Sequence, residues 1–286
     1  MEPQNNENSS FNGFEIELDD NIAILRVNRP EKKNAMNMNF FNNLPKAIKY
    51  LDNSEEIRAI ILTAKGDNFS AGLDLSSLGE LTSETSNNSS PSKKTSQATN
   101  LKKFYENIKF LQNSISSLEQ CLKPVIAVIQ GYCLGGGIDL ISACDIRIGT
   151  QNSIYSIREV KMAMVADLGT LQRLPKIISI GHLNELAFTG KDIDAEYAKA
   201  IGLINYVGKD YEDAMDYAVS VAKQIASNSP LAVKGIKKTV TSFLAEEVSR
   251  GLEDVAMHNT AYLMSNDLIE AVSAFFEKRE PKFEGS

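Results

Sequence analysis

Apolar residues run along this chain in two patterns. Residues 22–27, 57–63 and 124–129 are compact blocks rich in Ile, Val, Leu and Ala, without polar alternation. Such blocks predict short strands buried on both faces. Residues 14–18 and 22–27 flank Asp19-Asp20-Asn21 and predict a hairpin. Residues 38–53 carry Phe40, Phe41, Leu44, Ile48 and Leu51 at helical spacing, with Pro45 predicting a break. Residues 101–122 repeat the helical pattern with Phe104, Ile108, Leu111, Ile115 and Leu118.

Further on, short strands are predicted at 146–148, 153–157 and 203–207, helices at 169–180, 182–189 and 195–200, and a loop at 160–167. From 211 onward the pattern is helical throughout, over 211–227, 230–241, 243–265 and 267–277, with Pro230 suited to a first turn. Alternating strands and helices followed by a helical tail predict an α/β fold, with a core over 13–210 and a C-terminal helical region over 211–286. Residues 1–12 are expected to be disordered. Residues 79–100 are rich in Ser, Thr and Asn, too poor in apolar groups to build a core, and read as a surface insertion.

One stretch concentrates candidate chemistry. The strand ending at Ile129 leads through Gly131 to Gly135, Gly136 and Gly137, which open an apolar helical segment containing Asp139. Glycines there let a ligand approach bare backbone. The first amides of a helix have no intrahelical partner and suit an oxyanion or phosphate. A plain flexible turn, with Asp139 as a first-turn acid favoured by the dipole, fits the same residues. The spacing matches neither the P-loop nor the dinucleotide fingerprint.

A second turn, Phe69-Ser-Ala-Gly-Leu-Asp74, follows the strand 57–63 with small residues at its bend. Two such turns, each offering one main-chain amide, can hold one carbonyl oxygen. Downstream, Glu159 and Asp167 lie among apolar neighbours. Each is either salt-bridged, as Glu159 would be with Arg158 or Lys161, or raised in pKa and suited to proton transfer.

Composition narrows the classes. The 286 residues are 43% hydrophobic and 23% charged, as in globular proteins. A net charge of −7 argues against a general nucleic-acid surface. Cys121, Cys133 and Cys144 have no metal or disulfide spacing and read as small core residues. No apolar run is long enough to span a membrane. Neither end carries a readable targeting signal, so the compartment is left open. His182 and His258 have no partner motif and read as surface or packing residues.

Taken together, Arg26-Val-Asn-Arg-Pro-Glu-Lys-Lys-Asn-Ala-Met36, Phe69-Ser-Ala-Gly-Leu-Asp74, Lys123-Pro-Val-Ile-Ala127, Gly135-Gly-Gly-Ile-Asp-Leu140 and Ala143-Cys-Asp-Ile-Arg147 resemble the enoyl-CoA hydratase/isomerase (crotonase) superfamily over roughly residues 14–280. The resemblance implies a spiral of ββα units with a C-terminal helical trimerisation region, and a homotrimer or homohexamer. It implies an acyl-CoA thioester substrate, no metal and no further cofactor. By position the two oxyanion amides would be Ala71 and Gly136, with Ser70, Ala71, Gly72, Leu73, Asp74 and Gly136 lining the substrate. Lys32 and Lys33 fit either a solvated loop or contacts to the coenzyme A phosphates.

Hydratases of the family carry glutamates at the positions of Asp139 and Glu159, and usually glycine at that of Asp167. The set Asp139, Glu159 and Asp167 instead resembles the Δ3,5-Δ2,4-dienoyl-CoA isomerase branch and implies those three as the catalytic acids. A 2-enoyl-CoA hydratase and a non-catalytic acyl-CoA-binding protein are the alternatives. The resemblance also implies a peroxisomal or mitochondrial location, although a cytoplasmic one fits the unmarked termini.

Overall fold

The computed structural model describes residues 11–76 and 96–286. The expected insertion lies outside these residues except for 96–100, and so does the expected disordered segment except for 11–12. Residues 11–12 are ordered, with the Phe11 ring 5.7 Å from that of Tyr50.

Among the described residues the strands form two sheets. The larger has the order β1 (Phe14–Asp19), β2 (Ile22–Val27), β3 (Ala59–Ala64), β4 (Val125–Ile129), β6 (Ile146–Thr150) and β9 (Tyr206–Gly208). Only its first pair is antiparallel. The smaller sheet holds β5 (Tyr132–Leu134), β7 (Ile154–Ser156) and β8 (Ile193–Asp194). The chain passes from a strand of the large sheet to one of the small sheet and then into a helix. It does so in β4, β5 and α3 (Gly136–Ser142), and again in β6, β7 and the turn leading to α4 (Thr170–Arg173). That is the expected spiral of ββα units.

The apolar blocks are strands because both faces of the large sheet are covered. Leu25, Ile60, Leu62, Ala127 and Ile129 face a core shared with α1 (Met38–Asn53) and α2 (Gln97–Gln120). Ile24, Ile61, Ile126, Val128 and Ile148 pack on Ala214, Ala218 and Ala222 of α7 (Tyr211–Ser227). The first helix of the C-terminal region thus covers the second face of the sheet.

Several elements differ from expectation. α1 runs through Pro45 without a break, because buried Leu44, Ala47, Ile48 and Leu51 hold it on both sides of the missing N–H. The expected helices 230–241 and 243–265 are one helix, α8 (Pro230–Tyr262), followed by α9 (Asn266–Glu277). Its Thr239 hydroxyl is satisfied within the helix, by Gly235 O at 2.8 Å. Residues 159–162 form a 3-10 turn within the expected loop. The expected helix 169–180 is reduced to α4 and a 3-10 turn over 174–176, ahead of α5 (Ile180–Thr189) and α6 (Ala195–Ala200). β5 and β8 have no signature of their own in the sequence.

Candidate active site

The first loop of the site is assembled by Asn34. Its side chain accepts from Arg29 N at 2.8 Å and donates to Lys65 O at 2.8 Å and Asn68 O at 2.7 Å, tying residues 29–34 to the end of β3. Phe69 N donates to Gln130 O, Ser70 N to Tyr132 O and Leu134 N to Ser70 O, which zips the loop onto β5. Gly72 then turns at φ +90°, where a Cβ would meet Leu134 O at 2.7 Å and lie 3.4 Å from Gly136 N. Only glycine allows this approach of two backbones.

The expected oxyanion pair needs one correction. Ala71 N donates to Lys33 O at 2.9 Å, so its amide is already bonded. The amide opposite Gly136 is that of Leu73. Met36 N donates to Gly72 O and Asp74 N to Met36 O, both at 2.8 Å, and this bracket turns the Leu73 N–H to the other side of the segment. Among the described residues, neither Leu73 N–H nor Gly136 N–H has an acceptor. A Cβ on Gly136 would lie 3.6 Å from Leu73 N, so the two amides border the same small space.

Two other residues expected to line the substrate have hydrogen-bond partners within the protein. Buried Ser70 donates through Oγ to Asn34 O at 2.9 Å, and accepts from Gly72 N at 3.1 Å. Asp74 accepts from Arg29 Nη1 at 2.6 Å and from Ser76 Oγ at 2.6 Å. These bonds hold the Asp74 carboxyl below its ordinary range, against the opposing pull of partial burial. Both side chains shape the loop. Lys33 Nζ lies 5.2 Å from the centre of the Tyr132 ring beside it.

The second half is the acid cluster. Gly135 enters α3 at φ 50°, ψ −117°, and its N–H donates to Ser156 O at 2.9 Å. A Cβ there would lie 3.4 Å from Glu159 Oε1, so the glycine leaves room for that carboxyl. Asp139, 1% exposed, accepts from Thr170 N at 2.7 Å. Asp167 Oδ2 accepts from Asn259 Nδ2 at 2.7 Å, and its carbonyl accepts from Gln112 Nε2 at 2.8 Å. Glu159 Oε2 is buried without a hydrogen-bond partner.

Among the described residues, no salt bridge neutralises these acids. Arg158 pairs with Asp192 at 2.7 Å, and Lys161 forms no ion pair with Glu159 among the described residues. Burial is the main cause that raises all three, and the charge of Asp139 raises Glu159 and Asp167 further. Asp167 is pushed up to about 7 even though Asn259 opposes the shift. Glu159 is raised well above the carboxylate range by burial, then by Asp139 and Asp167, with no side-chain donor to oppose it. Asp139 is raised by burial and restrained by Thr170 and the charge of Arg173. As whole residues Glu159 and Asp167 are only half-buried, but the protein closes around their carboxyl groups. The structure thus brings the three expected acids into one electrostatically coupled group.

Asn259, Gln112 and Thr170 escaped the sequence reading. Each is a polar residue on or entering a helix with no motif around it, and only its distant partner reveals its place. His182 and His258 lie against Tyr197 and Tyr262.

Paired main-chain amides beside buried acids on a ββα spiral define an acyl-thioester enzyme of one superfamily. The enoyl-CoA hydratase/isomerase family profile matches residues 17–286, and the chain belongs to this family. It is 40% identical over 265 residues to the peroxisomal Delta(3,5)-Delta(2,4)-dienoyl-CoA isomerase of Arabidopsis thaliana, covering 93% of each chain. It is 39% identical to the mitochondrial enzyme of that name from Dictyostelium discoideum, covering 92% of this chain and 87% of the other. The crystal structure of an enoyl-CoA hydratase/isomerase from Pseudoalteromonas atlantica superposes with a TM-score of 0.78 at 25% identity, over 96% of this chain and all of that one.

Proposed function

We propose that this chain isomerises 3,5-dienoyl-CoA to 2,4-dienoyl-CoA in the oxidation of unsaturated acyl chains. One observation carries the reading: two acceptor-free amides, of Leu73 and Gly136, border the same space on a fold that also gathers three raised carboxyls. The amides receive the thioester oxygen and stabilise the negative charge that develops there when the α-proton leaves. Asp167, which has a donor favouring its ionised form, takes that proton from C2. Glu159, whose Oε2 has no donor, holds a proton near neutrality and gives it to C6. The electron pair of the broken C–H bond moves through the dienolate, so the double bonds shift from 3,5 to 2,4 and no atom is gained. Asp139 keeps both proton carriers raised. The reaction as written needs no group beyond the coenzyme A of the substrate.

The test is to incubate the protein separately with 3,5-dienoyl-CoA and 2-enoyl-CoA. The first yields the 2,4-dienoyl chromophore and the second is not hydrated. Hydration without isomerisation would replace this reading with that of a hydratase, and no reaction with either would favour an acyl-CoA-binding protein.

The same reading extends to assembly. Val248, Leu252, Val255 and Ala256 of α8 are buried in the chain itself, but Leu231, Ile236, Val240 and Phe243 are exposed, Phe243 by 85%. On α9, Ile269, Phe275 and Phe276 are exposed as well. Apolar area of this kind needs cover, and closed symmetry supplies it in a trimer or hexamer. The relatives' names, peroxisomal in one organism and mitochondrial in another, support an organelle of fatty-acid oxidation as the compartment. No helix among the described residues is long and apolar enough to cross a membrane.

A further inference from the structure

The long helix α8 does more than offer an exposed apolar face. Its second half is pinned along the site. Gln112 Nε2 donates to Leu252 O at 2.9 Å, and Gln172 Nε2 to Gly251 O at 3.1 Å. Tyr105 donates to the Glu253 carboxylate, which also pairs with Lys109 at 3.1 Å. Two turns further on comes Asn259, 3% exposed. Its Nδ2 donates to Val165 O at 2.9 Å and to Asp167 Oδ2 at 2.7 Å. A carbonyl only accepts, so the atom facing Val165 must be the nitrogen, and the side-chain amide has one orientation. The second N–H therefore points at Asp167 and cannot turn into an acceptor. A carboxylate accepts such a bond fully when ionised, while a protonated carboxyl gains less from it.

We infer that Asn259 is a positioning residue for the reaction proposed above, fixing the Asp167 carboxyl in place and holding it in the ionised, proton-accepting form. The inference rests on that reading of Asp167 as the base. It explains why two acids in one buried cluster take opposite roles. Asp139 from α3 faces Asp167 as a negative group and opposes its ionisation, while Asp167 in turn raises Glu159 of the 159–162 turn. Gln112 of α2 reaches only its backbone carbonyl, and Arg173 of α4 acts on Asp139. Asn259 is the side-chain donor that works against this repulsion. Glu159 has no equivalent and keeps its proton.

The test compares wild type with Asn259→Leu, which keeps the branched shape and loses both donors, and Asn259→Ser, which keeps a hydroxyl. Each is also made with Asp167→Asn. The pH dependence of kcat/KM with 3,5-dienoyl-CoA is one readout. The other is the infrared band of the protonated carboxyl that Asp167→Asn removes, titrated without substrate. Losing a donor to the charged form raises the pKa, so in Asn259→Leu the acid limb and the infrared titration both move up by about one pH unit. Asn259→Ser lies between, rates converge with wild type at high pH, and Asn259→Leu costs nothing further in the Asp167→Asn background. An equal loss of rate at every pH with an unmoved infrared titration, in either variant, overturns the inference and leaves Asn259 a packing residue. If wild type does not isomerise the dienoyl thioester, the functional reading fails, and the infrared titration alone judges Asn259.

Discussion

Thr170 N donates to Asp139 Oδ1 at 2.7 Å, binding the first turn of α4 to the carboxyl of a residue on α3. The bond lies inside the protein and keeps a buried carboxylate beside two others. Asp139 thereby acts on the site through its charge, raising Glu159 and Asp167.

Asp139→Asn should keep this bond, since the amide oxygen accepts as well, and remove the charge. With less repulsion, both Glu159 and Asp167 titrate lower. With the proposed roles, Asp167 sets the acid limb of kcat/KM and Glu159 the basic limb, so the whole bell should move to lower pH. A profile unchanged in position would show that Asp139 does not act electrostatically.

Glu159→Gln and Asp167→Asn keep shape and lose the titrating proton. Each should lower kcat by on the order of a hundredfold or more, with substrate binding retained. Steady-state kinetics combined with binding of an unreactive acyl-CoA separates the two effects. Near-normal turnover in either variant removes that acid from the mechanism.

The same substitution should stabilise the fold above neutrality. Burial raises Asp167 from 3.8 to about 7, so between these values the folded chain holds a proton that the unfolded chain releases. Its contribution to stability is full below the lower value and lost as pH rises through the upper one. Asp167→Asn does not titrate. Its melting temperature should match wild type at about pH 4 and exceed it by several degrees at about pH 8. Equal melting at both pH values would show that the carboxyl is not raised.

Gly136→Pro deletes one of the two amides proposed to receive the thioester oxygen. Proline is compatible with the first position of a helix, so the fold should survive, as circular dichroism can check. Loss of one such donor should lower kcat roughly a hundredfold to a thousandfold. A folded variant with full activity would remove Gly136 from the oxyanion site.

Assembly is read by light scattering after size exclusion. The expected mass is three or six times 31.4 kDa. Phe243→Glu, at a site 85% exposed, should shift the mass toward a single chain. A monomeric wild type at micromolar concentration would refute the assembly.

Much of this protein is determined by its sequence locally. The apolar blocks at 22–27, 57–63 and 124–129, broken only by Arg26 and Arg58, are rich in β-branched residues and too short for a typical helix, which marks them as strands covered on both faces. The glycines at 72, 135 and 136, with Asp139, Glu159 and Asp167, mark the chemistry because backbone approach and proton transfer each demand few residue types. Other features depend on contacts between distant segments. Tyr132–Leu134 is a strand only because Ser156 and its neighbours lie alongside. α8 continues past 242 because Val248, Leu252, Val255 and Ala256 continue its buried stripe. The choice of Leu73 over Ala71 as the open amide is made by Lys33 and Met36, about 40 residues earlier, whose backbone groups bond the loop on one side and leave the other free. Asn259 becomes part of the site only through α8, which begins at Pro230, far along the chain from Asp167. Periodicity is written in neighbouring residues, whereas a hydrogen bond's partner belongs to whichever segment the fold brings to it.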